Sequence, residues 1–320
     1  MRKSKKYVVV LFSLLALMML SAVGYVVYYT KHYPLPITSR ISLDAKLKFV
    51  REHIDVNKID TIIVGSSIGL NDIQGAYLQE ASSKANGVLN LSVYEATTME
   101  AEQLLGLRKV FPNLKRMIYS AQYSDFPHPY TYKNFDADTL GKYMAHRLNP
   151  LAFFKVVFDA SKNIPFLIHR QQEWGPKHTH SNSFHYLGFD STGSVPLHIY
   201  GKDIIMHRWK NPHPDIEHPK SFEALHRMAK MAQEEGLYFY FAHQPYREPL
   251  VKKYKDVKNA LVWVDKRAAH IFEPFSRAKL IQLQSLHLDD SYFADRSHLN
   301  DKGSILTAKA IAKFIDENEK

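Results

Sequence analysis

The sequence predicts an α/β fold of three layers, α/β/α, in which a parallel sheet is covered by helices on both faces. Short β-branched runs alternate with stretches of helical periodicity, as a parallel sheet requires. The first such run, Asp60-Thr61-Ile62-Ile63-Val64-Gly65-Ser66-Ser67, is apolar without alternation and ends in small residues, the pattern of a strand buried on both faces that opens into a turn. A single uncharged segment of 23 residues, Tyr7–Tyr29, precedes all of this.

That segment is long enough to span a hydrocarbon core, which needs about 20 apolar residues. Its centre is Val, Leu and Met, and Tyr25, Tyr28 and Tyr29 suit an interfacial aromatic belt. Residues 1–6 carry Arg2, Lys3, Lys5 and Lys6 and no acid, which predicts a cytoplasmic N-terminus and an exported C-terminal part. A cleaved signal peptide would have a shorter apolar region of about 7–15 residues. Ser21-Ala22-Val23-Gly24 only faintly resembles a cleavage site, and the apolar run continues beyond it. The expectation is a single-pass anchor in a bacterial inner membrane, with residues 30–40 as a linker and 41–320 as the exported domain.

Within that domain, Ser42 could cap a helix bearing Leu43, Leu47, Val50 and Ile54 at helical spacing. After the first strand, Asp72–Ala81 reads as a helix, Gly87–Val93 as a second strand, Thr98–Val110 as a helix and Arg116–Ala121 as a third strand. Ser221–Glu235 reads as a helix, Leu237–Ala242 as the fourth strand and Lys279–Leu286 as a fifth. Gly303–Asn318 closes the chain as a helix with Leu306, Ile311, Phe314 and Ile315 on its buried side. Between the third and fourth strands lies an insertion of roughly 95 residues, about 126–220, helical over Thr139–Ile168 and then rich in His, Pro, Gly and Asn. In a parallel sheet it emerges at the carboxyl ends of the strands, where ligands bind, and so suits a lid or substrate-selection element.

The chain has 320 residues, no cysteine, 45% hydrophobic residues and a net charge of +10. A real core is therefore expected, and thiolate metal sites, disulfides and cysteine nucleophiles are excluded. Without the four basic residues of the N-terminal hexapeptide the net charge is +6, with no dense basic block, so nucleic-acid binding is not indicated. Asn90-Leu91-Ser92 is the only glycosylation sequon, and it falls inside a predicted buried strand, which points to a bacterial periplasm or cell surface.

Two segments carry the chemistry. Gly65-Ser66-Ser67 ends the first strand, and Asp295-Arg296-Ser297-His298-Leu299-Asn300, followed by Gly303, precedes the last helix. A serine becomes a nucleophile when a histidine takes its proton, and a carboxylate orients that histidine. A strand-end turn exposes the hydroxyl beside backbone N–H groups that can stabilise an oxyanion. Asp and His three residues apart can serve one serine from one loop, with Asn300 capping the helix and Gly303 allowing close packing. Other readings of the same residues remain open: Ser67 as a helix cap, His298 as a structural histidine, and Asp289 or Asp290 in place of Asp295.

From about Asp60 to Phe314 this pattern resembles the SGNH (GDSL-type) hydrolase superfamily, in its membrane-anchored bacterial envelope form. The resemblance implies a flavodoxin-like sheet, Ser67 as nucleophile, His298 as general base, Asp295 as its orienter, and no metal or organic cofactor. It also implies an oxyanion hole drawn from Ser67 and two further motifs, both of which depart from the pattern here. Glu95 stands where the second motif has glycine, and Gln122-Tyr123-Ser124-Asp125 stands where the third has Gly-x-Asn-Asp. Gln122 or Tyr123 is the candidate replacement donor, and Ser66 stands where the first motif has Asp.

His243, Gln244 and Tyr246, at the end of the fourth strand, and Asp125 are candidate substrate contacts. In the insertion, His178-x-His180 could ligate a metal, but no HExxH-type spacing is present and the surrounding Pro, Asn and Ser argue for an exposed loop, so His178, His180, His185, His198, His207, His213 and His218 read as surface usage and no metal site is expected. Trp174, His185, Tyr186 and Trp209 could form a sugar-binding surface. The function expected from the resemblance is a serine esterase or acyltransferase on O-acyl, chiefly O-acetyl, groups of an envelope or secreted polysaccharide. The alternatives are an SGNH-like scaffold that binds glycan or a polysaccharide-assembly partner, and a structural single-pass protein.

Overall fold

A computed structural model describes residues 2–38, 40–127, 129–133, 135–174, 187–204 and 219–319. Five strands, β1 (Thr61–Gly65), β2 (Val88–Asn90), β3 (Arg116–Ala121), β4 (Tyr238–His243) and β5 (Ala278–Gln282), form one sheet in the order β2-β1-β3-β4-β5. Every pairing is parallel, with Gly65 opposite Ser120 and Ala121 opposite His243. This is the flavodoxin-like order, and its topological switch point lies between β1 and β3.

Helices cover both faces. Alternate side chains such as Ile62, Val64, Tyr119 and Phe241 share one core with α2 (Ile41–His53), α5 (Thr98–Leu105), α9 (Pro219–Glu234), the short α10 (Glu248–Lys253) and α11 (Lys255–Phe272). Ile63, Ile118 and Tyr240 point the other way, onto α4 (Gly75–Ala81) and α12 (Asp301–Asn318). The three-layer α/β/α expectation is met.

Several boundaries differ from the sequence reading. The helix after β1 is two pieces, α3 (Ser67–Asp72) and α4, broken at Ile73-Gln74. The second strand is shorter than Gly87–Val93, and its outer edge is covered by the returning insertion, where Asn90 donates its N–H to the Thr192 carbonyl at 2.8 Å. The α5 helix gives way to a 3₁₀ turn at Gly106. Ser42 is buried within α2 and is not its cap; Arg40 holds that place, and Asp44 reaches back to accept the Thr38 N–H at 2.7 Å. Leu306 is on the outer side of α12, because the buried positions Thr307, Ile311 and Ile315 repeat every four residues one step away from it.

At the amino end of the sheet, Arg116 forms a bidentate pair with Glu319, at 2.7 and 2.6 Å, and Tyr240 donates to the same carboxylate at 2.9 Å. This ties the C-terminus beneath β3 and β4, at the opposite end of the strands from Ser67.

The N-terminal helix α1 (Arg2–His32) is long and apolar enough to cross a membrane over Lys6–His32. Its last turns dock on the domain. Tyr29 is 1% exposed, so it serves the domain rather than a headgroup belt. Tyr25 donates to Gln171 at 2.9 Å, and Lys48 of α2 donates to the Lys31 carbonyl at 3.3 Å. The residues expected to form a linker are therefore packed: Leu35 is buried, and Thr38 is bonded to Asp44.

The insertion begins with α6 (Ala137–Met144), α7 (Pro150–Ser161) and α8 (Ile164–Trp174), matching the helical expectation over Thr139–Ile168. Its return at residues 187–204 runs past β2, α3 and α12, with Val195 N–H on the Leu70 carbonyl and the Leu197 carbonyl accepting from Asp301.

Candidate active site

The strand β1 delivers Ser67 to the carboxyl edge of the sheet. The chain can pass there only because Gly65 lies flat against the Ser120 carbonyl, where a Cβ would collide with backbone. Ser66 caps α3, its hydroxyl accepting the Ile68 N–H at 3.1 Å. The capping role considered for Ser67 thus belongs to its neighbour, and Ser67 occupies the first helical position with its hydroxyl free for other work.

The loop between β5 and α12 brings the second half. Asp295 accepts the backbone N–H groups of Ser297 and His298 through one oxygen, both at 2.9 Å, which curls the loop into a tight turn. Its other oxygen lies 2.8 Å from His298 Nδ1. On the far side of the ring, His298 Nε2 is 2.7 Å from Ser67 Oγ. Asp295, His298 and Ser67 thus form one continuous hydrogen-bonded line. With Nδ1–H donated to the carboxylate, Nε2 offers its lone pair to the serine hydroxyl.

The same contacts set the electrostatics of the pair. Burial alone would lower the His298 pKa, but the Asp295 charge and hydrogen bond, aided by Asp72 and Asp125, raise it above the ordinary histidine value. Burial would raise Asp295, but the His298 charge and the bonds from His298 and Ser297 hold it down, at about 2. Asp289 and Asp290 are engaged elsewhere: Asp289 accepts from Ser291 at 2.6 Å, and Asp290 pairs with Arg247 at 2.6 Å.

Three residues to which the sequence reading gave no part in the site hold this arrangement. Asp72, at the end of α3, accepts the Leu299 N–H at 2.8 Å, and its own carbonyl accepts from Thr307. Asn90 donates its amide to the Gly69 carbonyl at 2.8 Å, and Asn71 donates to the Val195 carbonyl at 3.1 Å. Asn71 and Asp72 sit within the strand-turn-helix pattern that placed Ser67, and a polar pair one helical turn after that serine was the available signal.

The two departing motifs fall beside the site with altered roles. Glu95 has φ 60, the left-handed backbone that glycine adopts freely. Its side chain is 89% exposed and lies 3.5 Å from Arg40, so its carboxylate points to solvent. Gln122 does not offer its amide to the crevice. Its Nε2 donates to the Pro245 and Ser297 carbonyls, both at 3.0 Å, which staples the end of β4 to the loop that carries Asp295 and His298. Tyr123 is buried against Tyr246, ring centroids 5.4 Å apart.

Asp125 accepts the Gln122 N–H at 2.8 Å. Burial raises its carboxyl to about 6, although bonds from Gln122 and Ser66 and the nearby His298 and His243 pull the other way. His243 is 2% exposed, with Nδ1 2.6 Å from Asp265. Gln244 is fully buried and donates to Ser120 at 2.9 Å. His243, Gln244 and Tyr246 are therefore buried and do not present themselves to solvent as substrate contacts.

Among the described residues no group of three His, Cys, Asp or Glu side chains could hold a metal ion. His178, His180, His185, His207, His213 and His218, with Tyr186 and Trp209, lie outside the described residues. His198 is exposed and 3.3 Å from Asp301, and Trp174 packs in a small cluster with Leu70 and Leu187.

No protein-family profile and no curated protein sequence matches the chain. Among solved structures, a provisionally assigned platelet activating factor from Streptococcus pneumonia is similar over 86% of this chain and 92% of that one, with a TM-score of 0.41 and 10% sequence identity.

Proposed function

We propose that the chain is a membrane-anchored, SGNH-type serine hydrolase of the bacterial envelope, acting on O-acyl groups of a polysaccharide as an esterase or acyltransferase. The observation that carries this reading is the line Asp295–His298–Ser67, with 2.8 and 2.7 Å contacts across 231 positions of sequence. A structural histidine has no need to place its second ring nitrogen on a serine at a strand end.

Ser67 Oγ attacks the acyl carbonyl carbon while His298 Nε2 takes the hydroxyl proton. The tetrahedral intermediate collapses as the C–O bond to the sugar breaks, and His298 returns the proton to the leaving alkoxide. The acyl-enzyme is then cleaved by water or by a second hydroxyl, with His298 again as base. Asp295 keeps the imidazole in the tautomer this needs. The Ser67 N–H, at the first position of α3, has no intrahelical acceptor and supplies one oxyanion donor. Gln122, with its amide committed to two carbonyls, does not supply a second donor.

A non-catalytic scaffold is the competing reading, and it expects Ser67 to lack a base within reach; the His298 contact favours the enzyme. The deciding experiment measures acyl release by the full chain in detergent, from p-nitrophenyl acetate and from O-acetylated glycans, for wild type and Ser67→Ala. Equal rates for the two would overturn the assignment.

A further inference from the structure

Outside α1, large exposed apolar side chains concentrate on α7 and α8. Leu151 is 79% exposed, Phe154 64% and Phe158 59% on α7, with Phe166 at 40% and Ile168 at 45% on α8. On α7 the three recur at i, i+3 and i+7 and so share one face. The opposite side of the same helix is apolar as well, with Phe153, Val156 and Val157 packed onto the main core. A helix apolar on both sides is one whose outer side is also covered.

The position of these helices says what covers it. Gln171 of α8 accepts from Tyr25 and donates to Tyr33 at 3.2 Å, so α8 is fastened to the end of the apolar helix α1. Ile168 lies one turn before Gln171, on the same side of α8. The α7 helix reaches the same place through α2: Arg51 stacks on Phe153 at 5.0 Å, and Lys48, one turn earlier, bonds Lys31 near the end of α1. The apolar outer face therefore flanks the point where α1 leaves any bilayer it crosses. Lys155 and Lys162 border it, as on interfacial helices.

We infer that the outer face of α7 and α8 is seated in the interfacial layer of the bilayer into which α1 inserts. The partner is a lipid surface, and the contact is independent of the hydrolase reading, resting only on insertion of α1. The seating fixes the domain's height and orientation. Trp174, at the end of α8, packs against the small apolar cluster that includes Leu70 of α3, so the helix that begins at Ser67 shares a cluster with the membrane-facing element.

The chain has no cysteine, so single labels are unambiguous. Full-length Phe154→Cys, Phe158→Cys and Ile168→Cys, each carrying a bimane label, would be reconstituted in phosphatidylethanolamine/phosphatidylglycerol vesicles. Leu15→Cys in α1 and Lys230→Cys on α9 serve as bilayer and aqueous references. The expected result is several-fold stronger quenching by nitroxide-bearing lipids at the α7 and α8 positions than at position 230, with protection from iodide. Iodide quenching at the level of position 230 would overturn the inference. Protection from both quenchers would also overturn it, since a protein would then cover the face. Absence of lipid quenching at position 15 would overturn it by removing α1 from the bilayer, whatever the acyl-release assay shows.

Discussion

The Asp72 carboxylate accepts the Leu299 backbone N–H at 2.8 Å, joining the helix that begins at Ser67 to the residue that follows His298. The bond crosses 227 positions of sequence and is fully buried. It fastens the two halves of the site directly, whereas the Ser67–His298 contact only reports that they have met. Asp72→Ala should leave the Leu299 N–H buried without a partner, at a cost of about 1–3 kcal/mol. Asp72→Asn keeps an acceptor oxygen and should cost distinctly less. Chemical denaturation of the two variants checks this, and equal losses would contradict it.

Ser66 and Ser67 should separate cleanly. Ser66→Ala removes the α3 cap and should cost about 1 kcal/mol of stability. Ser67→Ala leaves the cap intact and should melt like the wild type, while acyl release falls by about 10³-fold or more. Thermal melts and initial rates on the same preparations read both effects.

The pH profile follows from the His298–Asp295 pair. In its proposed role as general base His298 must be neutral, and its pKa is raised above the ordinary 6.5, so kcat/KM should climb with pH through a limb lying above that value. Because Asp295 is the chief raising influence, Asp295→Asn should move the limb of any residual activity toward lower pH and cut the rate by about 10⁴. The stability signs are opposite for the two groups. The raised His298 contributes stability that is present below pH 6.5 and is lost as pH rises through its folded-state value. Asp295, held at about 2, contributes stability that is present above its usual 3.8 and lost as pH falls toward about 2. A limb centred below 6.5 in the wild type would contradict the geometry.

Gly303 sits where a Cβ would come within 2.5 Å of the Tyr292 carbonyl and 2.9 Å of Leu299. Gly303→Ala should therefore destabilise the fold by roughly 1–3 kcal/mol despite the better helix propensity of alanine. A variant as stable as the wild type in a denaturant titration would show that the α12 start can shift away from the loop.

Glu319 is a purely structural test. Glu319→Ala leaves Arg116 buried with only the more distant Asp60, at 3.6 Å, and should cost about 3–5 kcal/mol. At a temperature where the variant stays folded its kcat should be unchanged, because the pair lies at the opposite end of the strands from Ser67.

The layers, the strand run ending at Gly65-Ser66-Ser67, the Asp295/His298 loop and the apolar N-terminal helix are all legible in the linear chain. Those follow from local periodicity, turn chemistry and short spacing, which a linear pattern carries. Which serine caps α3 could not be read, because adjacent serines share one pattern and only backbone direction separates them. The commitment of Gln122 to two carbonyls, the burial of His243 and Gln244, and the outward turn of Glu95 were equally hidden. They depend on where strand ends and loops from distant parts of the chain stop in space. The packing of residues 33–38 and Tyr29 against the domain was a tertiary outcome too, since a polar, proline-containing stretch reads the same whether it hangs free or lies in a groove. The decisive distances, Ser67 to His298 and Asp72 to Leu299, each join segments more than 220 residues apart. Only the parallel sheet, which brings the loops at its carboxyl edge together, could decide them.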